Sequence, residues 1–439
     1  MEQTSSELIT RVGPGTPMGE LMREYWVPAM LGSELPVPDG DPVRVKLLGE
    51  ELIAFRDTTG SVGLVANGCP HRGASLFFGR NEQGGLRCVY HGWKFDTSGA
   101  CLDMPNEPPF SKFKNTVRAV AYPCIERAGI VWAYLGPRTI PPPFPEIEAT
   151  TLAEGAYKTD AIFRECNWLQ ALEGDMDTAH FVFLHYGGSD PAEARPGSFM
   201  QYQLQTRAAS YEVVETESGA LYGACRPAKP GQNYWRIGQF HFPFYTMIPT
   251  GVLGYKVGIR AWVPMDDTHA MSFGVVPIVE ASARARGYLK APEVREAVAR
   301  SPLLPNTTDW FGRFRTAPNA ANDYEIDRDW QRQGNYTGID GIFTQDAAVT
   351  ESMGAVADRS LEHLGTSDVM VRQIRRRLTE AALALAEKGT PPPAVDSPAA
   401  YATRTGGIVL PEGEDWFAAT EALRRAFVDH PELDTTADV

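Results

Sequence analysis

Two short loops constrain this chain more than any other feature. The first reads Cys69-Pro70-His71-Arg72-Gly73, and after the sixteen residues that follow His71 the second reads Cys88-Val89-Tyr90-His91-Gly92-Trp93. Each loop offers one thiolate and one imidazole. A divided Cys2His2 set can hold a tetrahedral zinc, and the same set serves a [2Fe–2S] centre in which two imidazoles replace two thiolates on one iron. Spacing alone leaves both open. The flanks favour a redox centre: Pro70 stiffens its loop, Gly73 and Gly92 let backbone pass close to a cluster, and Trp93 can seal it from water.

The C-x-H and C-x-x-H-G-W pattern resembles the Rieske ferredoxin domain. That resemblance implies that Cys69 and Cys88 ligate one iron and that His71 and His91 ligate the other. The chain has 439 residues, too many for an electron-transfer module alone, so two or three domains and a second activity are expected. Its net charge of −14 and pI of about 5.1 argue against a nucleic-acid or anionic-membrane partner, because either demands a basic surface. The other four cysteines, Cys101, Cys124, Cys166 and Cys225, show no disulfide spacing and read as reduced thiols of a cytoplasmic protein. Neither a signal peptide nor a membrane span is expected, for lack of the apolar runs that each requires.

Three regions follow from changes in texture. Residues 1–36 read as an N-terminal helical arm, with Pro17 near a helix start and Leu21, Tyr25 and Trp26 on or near one apolar face. Residues 37–140 alternate in β fashion through both cluster loops and end at the proline-rich connector that begins near Pro137 and contains Pro141 to Pro143 and Pro145. Residues 141–439 form the second unit. There, 161–185 reads as a strand passing into a helix, and 200–276 reads as an antiparallel sheet that includes the run 201–207. From about 286 the chain is expected to turn helical, with a clear helix over 366–389 stopped by Gly389. Within that helix the Arg375-Arg376-Arg377 run reads as a solvated face, and the end of the chain from Pro431 reads as a loose tail.

The strongest motif outside the loops is Asp177-x-x-His180-x-x-x-x-His185, close to Glu173 and Asp175. Two imidazoles five apart subtend about 140° on an ideal helix, so both reach one metal only if the helix ends or distorts before His185. Two histidines and one carboxylate make the facial triad of mononuclear non-haem iron oxygenases. The segment 344–360 offers Asp346, Glu351 and Asp358, and composition does not choose among them.

Taken together, N-W-L-Q-A-L-E-G-D-M-D-T-A-H-F-V-F-L-H and the distant Q-D-A-A-V-T-E-S-M-G resemble the catalytic domain of Rieske non-haem iron ring-hydroxylating oxygenases, especially the phthalate 4,5-dioxygenase group. The resemblance runs over nearly the whole chain. It implies an α+β fold, with a β-rich Rieske [2Fe–2S] domain followed by a catalytic domain whose antiparallel sheet is covered by helices. It implies Fe(II) on His180, His185 and Asp346, and Asp177 as the link to the Rieske histidine of a neighbouring subunit in a homotrimer. NAD(P)H enters only indirectly, because no G-x-G-x-x-G follows a strand, so a flavin and iron–sulfur reductase is the expected partner.

The implied reaction hydroxylates an aromatic carboxylate with O2, phthalate-like cis-dihydroxylation leading and oxidative O-demethylation of a methoxylated acid as the alternative. A bare electron carrier does not account for His180, His185 and Asp346. Arg207, Arg236 and Arg260 are candidates for the carboxylate. Phe244, in the aromatic run 240–249, is a candidate for the ring, although such strands more often serve as core.

Overall fold

The computed structural model describes residues 3–192, 194–278, 301–430 and 433. Helices Gln3–Thr10 and Pro17–Arg23 open the chain and lie against the long helix Val369–Lys388. Thr16 caps the second of them, its hydroxyl accepting from the Gly19 amide at 3.2 Å, with Pro17 in the first turn. The expected continuation through Trp26 does not occur. Trp26–Leu31 is a strand paired antiparallel with Ile130–Tyr134, because Pro28 cannot continue a helix and every side chain of this apolar run finds burial between layers.

Three small antiparallel sheets make up the first half: 26–31 with 130–134 and 124–127, 43–47 with 50–56, 62–66 and 121–122, and 80–82 with 85–87, 94–95 and 101–103. The two Cys-His loops leave the ends of Val62–Ala66 and Gly85–Arg87, so neighbouring sheets set them side by side. They share an apolar core with Ile53, Phe55, Leu76, Leu86 and Phe95. The proline connector is packed rather than free: Pro142 and Pro145 are buried, and the Pro142 carbonyl accepts from Trp26 Nε1 at 2.8 Å.

The second half is built on an eight-stranded antiparallel sheet in the order 157–164, 270–277, 259–264, 245–247, 232–241, 219–227, 210–216, with 406–411 also pairing to 232–241. The run 201–207, expected as a strand, belongs instead to the helix Phe199–Gln205, capped by Ser198 and burying Phe199, Met200, Tyr202, Gln203 and Leu204. Seven residues are too few for alternation to outweigh a cap and a helical spacing of large side chains. Beyond residue 300 the chain is mostly irregular until Arg328–Gln333, so the expected return to helix comes later, and 279–300 lies outside the described residues. Val369–Lys388 ends at Gly389, whose φ of +64° is the left-handed cap. The expected loose tail lies outside the described residues except Leu433. No helix among those described is long and apolar enough to cross a membrane.

Candidate metal centres

The two Cys-His loops are near copies in backbone. The Cys69 amide donates to the Ala74 carbonyl at 2.8 Å and its carbonyl accepts from Gly73 at 2.8 Å, while Cys88 does the same with Trp93 and Gly92 at 2.8 and 2.9 Å. Gly73 and Gly92 sit at φ +75° and +79°, and a Cβ on Gly92 would stand 2.5 Å from Pro105 Cγ. Both positions therefore require glycine. The His71 and His91 rings meet edge to face at 4.4 Å, and Trp93 stacks on His71 at 4.3 Å. Cys69 and Cys88 are buried, and burial pushes the Cys69 thiol up to about 11. Nδ1 of each histidine is buried with no hydrogen-bond partner. Ring nitrogens orphaned beside buried thiols are costly unless a metal takes them, so the four side chains fit a Rieske-type cluster.

The second constellation begins on the helix Trp168–Met176, capped by Asn167, whose side chain accepts from Leu169 N at 3.1 Å. The three neighbouring acids of the sequence have separate tasks. Glu173 pairs with Arg375 at 2.6 Å and with Arg359 at 3.2 Å, tying this helix to Val369–Lys388. Arg375 is thus a buried ion-pair residue and not part of a solvated face, while Arg376 and Arg377 reach Glu215. Asp175 accepts from Thr246 Oγ1, Arg260 Nη1 and Trp262 Nε1 at 2.6–2.7 Å, tying the helix to the sheet. Asp177 turns outward with ψ 102° and ends the helix, and its Oδ1 accepts from Ala179 N at 2.7 Å.

That break answers the geometric problem of residues five apart. Phe181–His185 follows as a π-type turn, which closes over five residues rather than four and returns His185 to the side of His180. The helix Ile342–Ser352 brings Asp346 opposite them. His180 Nε2 and His185 Nε2 are 3.2 Å apart, and Asp346 Oδ1 lies 3.2 Å from His185 Nε2 and 3.6 Å from His180 Nε2. Donors on adjacent positions of an octahedron with bonds of about 2.1 Å stand about 3 Å apart, so this triangle fits one metal ion. The His180 and Asp346 side chains keep 25% and 30% exposure against 2% for His185, leaving one side open to small molecules.

Burial opposes the charge on Asp346, yet its bond from His185 and the nearby His180 and Arg164 hold its carboxyl below the usual range. For His180, burial is outweighed by Asp177 and Asp346, which raise its pKa. Asp177 Oδ2 stands 3.6 Å from His180 Nδ1. Glu351 and Asp358 do not converge on the triangle: Glu351 accepts from the Tyr324 hydroxyl at 2.5 Å, and Asp358 accepts from Ser360.

Comparison with known proteins then places the chain. Residues 25–119 match the Rieske [2Fe-2S] domain, and residues 133–436 match the family described as LigXa C-terminal domain like. The oxygenase subunit of 3-chlorobenzoate-3,4-dioxygenase from Comamonas testosteroni is 45% identical over 420 residues, covering 95% of this chain and 97% of that one. The chain belongs to the Rieske non-haem iron aromatic-ring-hydroxylating oxygenases.

Within that family the oxygenase is also similar to the phthalate 4,5-dioxygenase oxygenase subunit of Pseudomonas putida, at 37% identity over 85% of this chain and 84% of the relative. The 5,5'-dehydrodivanillate O-demethylase oxygenase subunit of a Sphingobium strain is 31% identical over 85% and 78%. Dicamba monooxygenase bound to dicamba shares the fold at a TM-score of 0.53 and 19% identity, over 83% of this chain and 99% of that one.

The candidate substrate contacts of the oxygenase separate on inspection. Arg207 lies with its guanidinium 5.2 Å from the Phe183 ring and makes only long bonds, 3.4–3.5 Å, to the Gly187 carbonyl. Arg236 lies 4.5 Å over Phe181, and Arg260 is committed to Asp175. Phe244 is 0% exposed and packs in the main core on Tyr245. The ring that borders the histidines is Phe181, 5.6 Å from His185.

Sequence reasoning also missed Gln345. Its Oε1 stands 2.7 Å from His185 Nδ1, and its Nε2 donates to the Ile339 carbonyl at 2.8 Å. Its place beside Asp346 in Q-D was the available signal.

Proposed function

We propose that this oxygenase is the terminal component of a system that hydroxylates an aromatic carboxylate with O2, by phthalate-like cis-dihydroxylation. The observation that carries the reading is the convergence of His180, His185 and Asp346 in a chain that also holds the Cys69–His71–Cys88–His91 cradle. These four would hold the cluster, and the triangle would hold Fe(II). Once bound, the cluster supplies single electrons and the iron supplies O2 activation. The names of the chlorobenzoate and phthalate relatives support an aromatic acid.

The chain's own residues prepare this chemistry. Because the Gln345 amide nitrogen is spent on Ile339, its oxygen faces His185, fixes the proton on Nδ1 and leaves Nε2 free for metal. Asp177 does the same for His180 from ion-pair distance. Phe181 sets an apolar ring beside His185, and Arg207 stands with spare donors to guide an anion. Electrons come from NAD(P)H through a flavin and iron–sulfur reductase, and the assembly is a cytoplasmic homotrimer. In it Asp177 faces the neighbouring subunit's cluster histidine, and a head-to-tail ring closes this interface.

Purified protein, a reductase, NADH and a panel of aromatic acids test the reading, with products weighed by mass spectrometry. A product gaining two oxygen and two hydrogen atoms is expected. Formaldehyde release would favour O-demethylation, which the dehydrodivanillate relative makes the second reading. Oxidation of none of these acids would overturn both.

A further inference from the structure

The cluster loops sit in a lobe with a core of its own. Leu76, Leu86, Trp93 and Phe95 pack there with Cys69 and Cys88, apart from the main core that the two halves of the chain share. The strand Glu50–Arg56 lies between the two cores, Leu52 and Ala54 belonging to the main one and Ile53 and Phe55 to the smaller. Among the described residues, Trp310 is the single apolar residue from beyond residue 121 that packs against the smaller core. Parts of a molecule joined by small interfaces move relative to one another by default. Whatever holds Trp310 therefore bears on where the cluster points.

Trp310 lies at the tip of a hairpin over 303–316. Its arms are joined by the Leu304 amide donating to the Arg315 carbonyl at 2.8 Å and the Thr307 amide to the Gly312 carbonyl at 2.9 Å, with Leu303 opposite Thr316. The hairpin is fixed to the catalytic half. The Phe163 amide donates to the Phe314 carbonyl at 3.0 Å, and Phe311 stacks on His269 at 4.2 Å. Just before the hairpin, the Ser301 hydroxyl bonds that of Thr344, which lies two residues before Asp346 on the helix Ile342–Ser352. Arg313 pairs with Glu34 at 2.6 Å with only 7% and 10% of the two side chains exposed, and breaking such a pair leaves a buried charge uncompensated, so it holds one arrangement.

At the tip the hairpin reaches the first cluster loop. Arg44 donates to the Thr308 carbonyl at 2.5 Å, and its guanidinium lies 3.5 Å from the Phe77 ring and 5.6 Å from the Trp310 ring. A planar cation between two aromatic faces joins them. Phe77 belongs to the turn Leu76–Phe78, and the Leu76 amide donates to the Asn67 carbonyl at 2.7 Å, closing the segment that carries Cys69 and His71.

We propose that the hairpin 303–316 is a brace that aims the cluster at its electron acceptor, with Trp310 as its positioning residue. Electron transfer falls steeply with distance, and a small misplacement caused far from the chemistry can cost about a hundredfold in rate. The brace ties the cluster lobe to the helix that carries Asp346, so each chain presents its cluster and its iron ligands in a fixed relation. In a head-to-tail ring that relation sets every gap between cluster and iron. The role in electron transfer rests on the functional reading above, whereas the holding of the lobe does not.

Trp310→Ala and Trp310→Phe test the brace in the holoprotein, each carrying a nitroxide at Lys229→Cys, an exposed position of the catalytic half. Pulsed EPR gives the distances from the reduced cluster to the nitroxide, and stopped-flow absorption follows reoxidation of the cluster by substrate and O2. In Trp310→Ala the distances are expected to broaden and reoxidation to slow by at least about tenfold, while the cluster's EPR spectrum, its potential and the iron content stay. Trp310→Phe should restore most of the rate.

A folded Trp310→Ala with wild-type distances would overturn the proposal. So would broadened distances with wild-type reoxidation, or slower reoxidation that a shifted cluster potential accounts for. If Trp310→Ala fails to fold, Trp310→Phe and Arg44→Met carry the same readouts. A wild-type cluster that no aromatic acid with O2 reoxidises would sink the functional reading, and the distances would still decide whether the hairpin holds the lobe.

Discussion

The cluster cradle takes all four donors from two adjacent loops between Cys69 and His91, whereas the second site joins two histidines at a helix end to an aspartate from a helix far along the chain. In the first, turn chemistry does most of the positioning, through paired Cys–Gly hydrogen bonds and glycines at positive φ. In the second, positioning is delegated to long-range contacts: Asp175 to the sheet, Glu173 to Arg375, Gln345 to His185. Locally built sites tolerate change elsewhere. A site assembled by tertiary contacts is exposed to every contact that aims it.

The largest test of this difference removes donors. His180→Ala, His185→Ala and Asp346→Ala should each lower iron from about three to about two per chain and abolish product, while the visible spectrum of the cluster stays. His71→Cys or His91→Cys should lower the cluster potential or lose the cluster, with His180, His185 and Asp346 untouched. Metal analysis with absorption spectra reads both. Loss of the cluster spectrum in Asp346→Ala would break the claim that the two sites are built independently.

Next in size is Asp177→Asn. Both metal sites and the proposed trimer should survive, because the side chain supplies no donor to the triangle and its Ala179 bond is available to an amide oxygen. Reoxidation of the reduced cluster by substrate and O2 should slow by orders of magnitude, followed by stopped-flow absorption. Near wild-type reoxidation would remove Asp177 from the proposed path between subunits.

The same contrast explains what could be read from the sequence. The cradle was legible because its donors, glycines and Trp93 lie within one stretch, and the five-residue spacing made a helix break before His185 the condition for both imidazoles to meet one metal. Asp346 was reached only through resemblance, since Glu351 and Asp358 look equivalent until the chain folds and Tyr324 and Ser360 claim them. The strand expected at 201–207 failed because Ser198, just outside the run, caps a helix. Glu173, Asp175 and Asp177 formed a cluster on paper and have three separate sets of partners in space.

Gln345→Leu sharpens the comparison at intermediate size. Without the acceptor at 2.7 Å, His185 Nδ1 loses its partner and the ring its fixed tautomer. Iron affinity should fall by about 10–100-fold, measured by competition with a chelator, while the cluster loops, which share no contact with Gln345, keep their spectrum. Unchanged affinity would mean that packing alone orients His185.

The smallest expected effect belongs to Glu351→Gln, and its smallness is informative. Glu351 Oε2 accepts from Tyr324 at 2.5 Å and Oε1 from the Glu165 amide at 3.3 Å, so the carboxylate ties the Ile342–Ser352 helix to its surroundings from the turn after Asp346. Burial first, and then this carboxylate, raise the Tyr324 pKa far above the ordinary phenol value, which keeps its proton on the tyrosine as donor. A glutamine keeps one carbonyl oxygen for one of the two donors and sets an amide against the other. The cost should be about 1–3 kcal/mol, the loss of one bond to a charged acceptor, visible in denaturant unfolding. Iron content and product should stay near wild type, because Glu351 is spent on Tyr324 and Glu165. A fall in iron like that of Asp346→Ala would transfer the third donor to Glu351, and the site would then rest on a different face of the same helix.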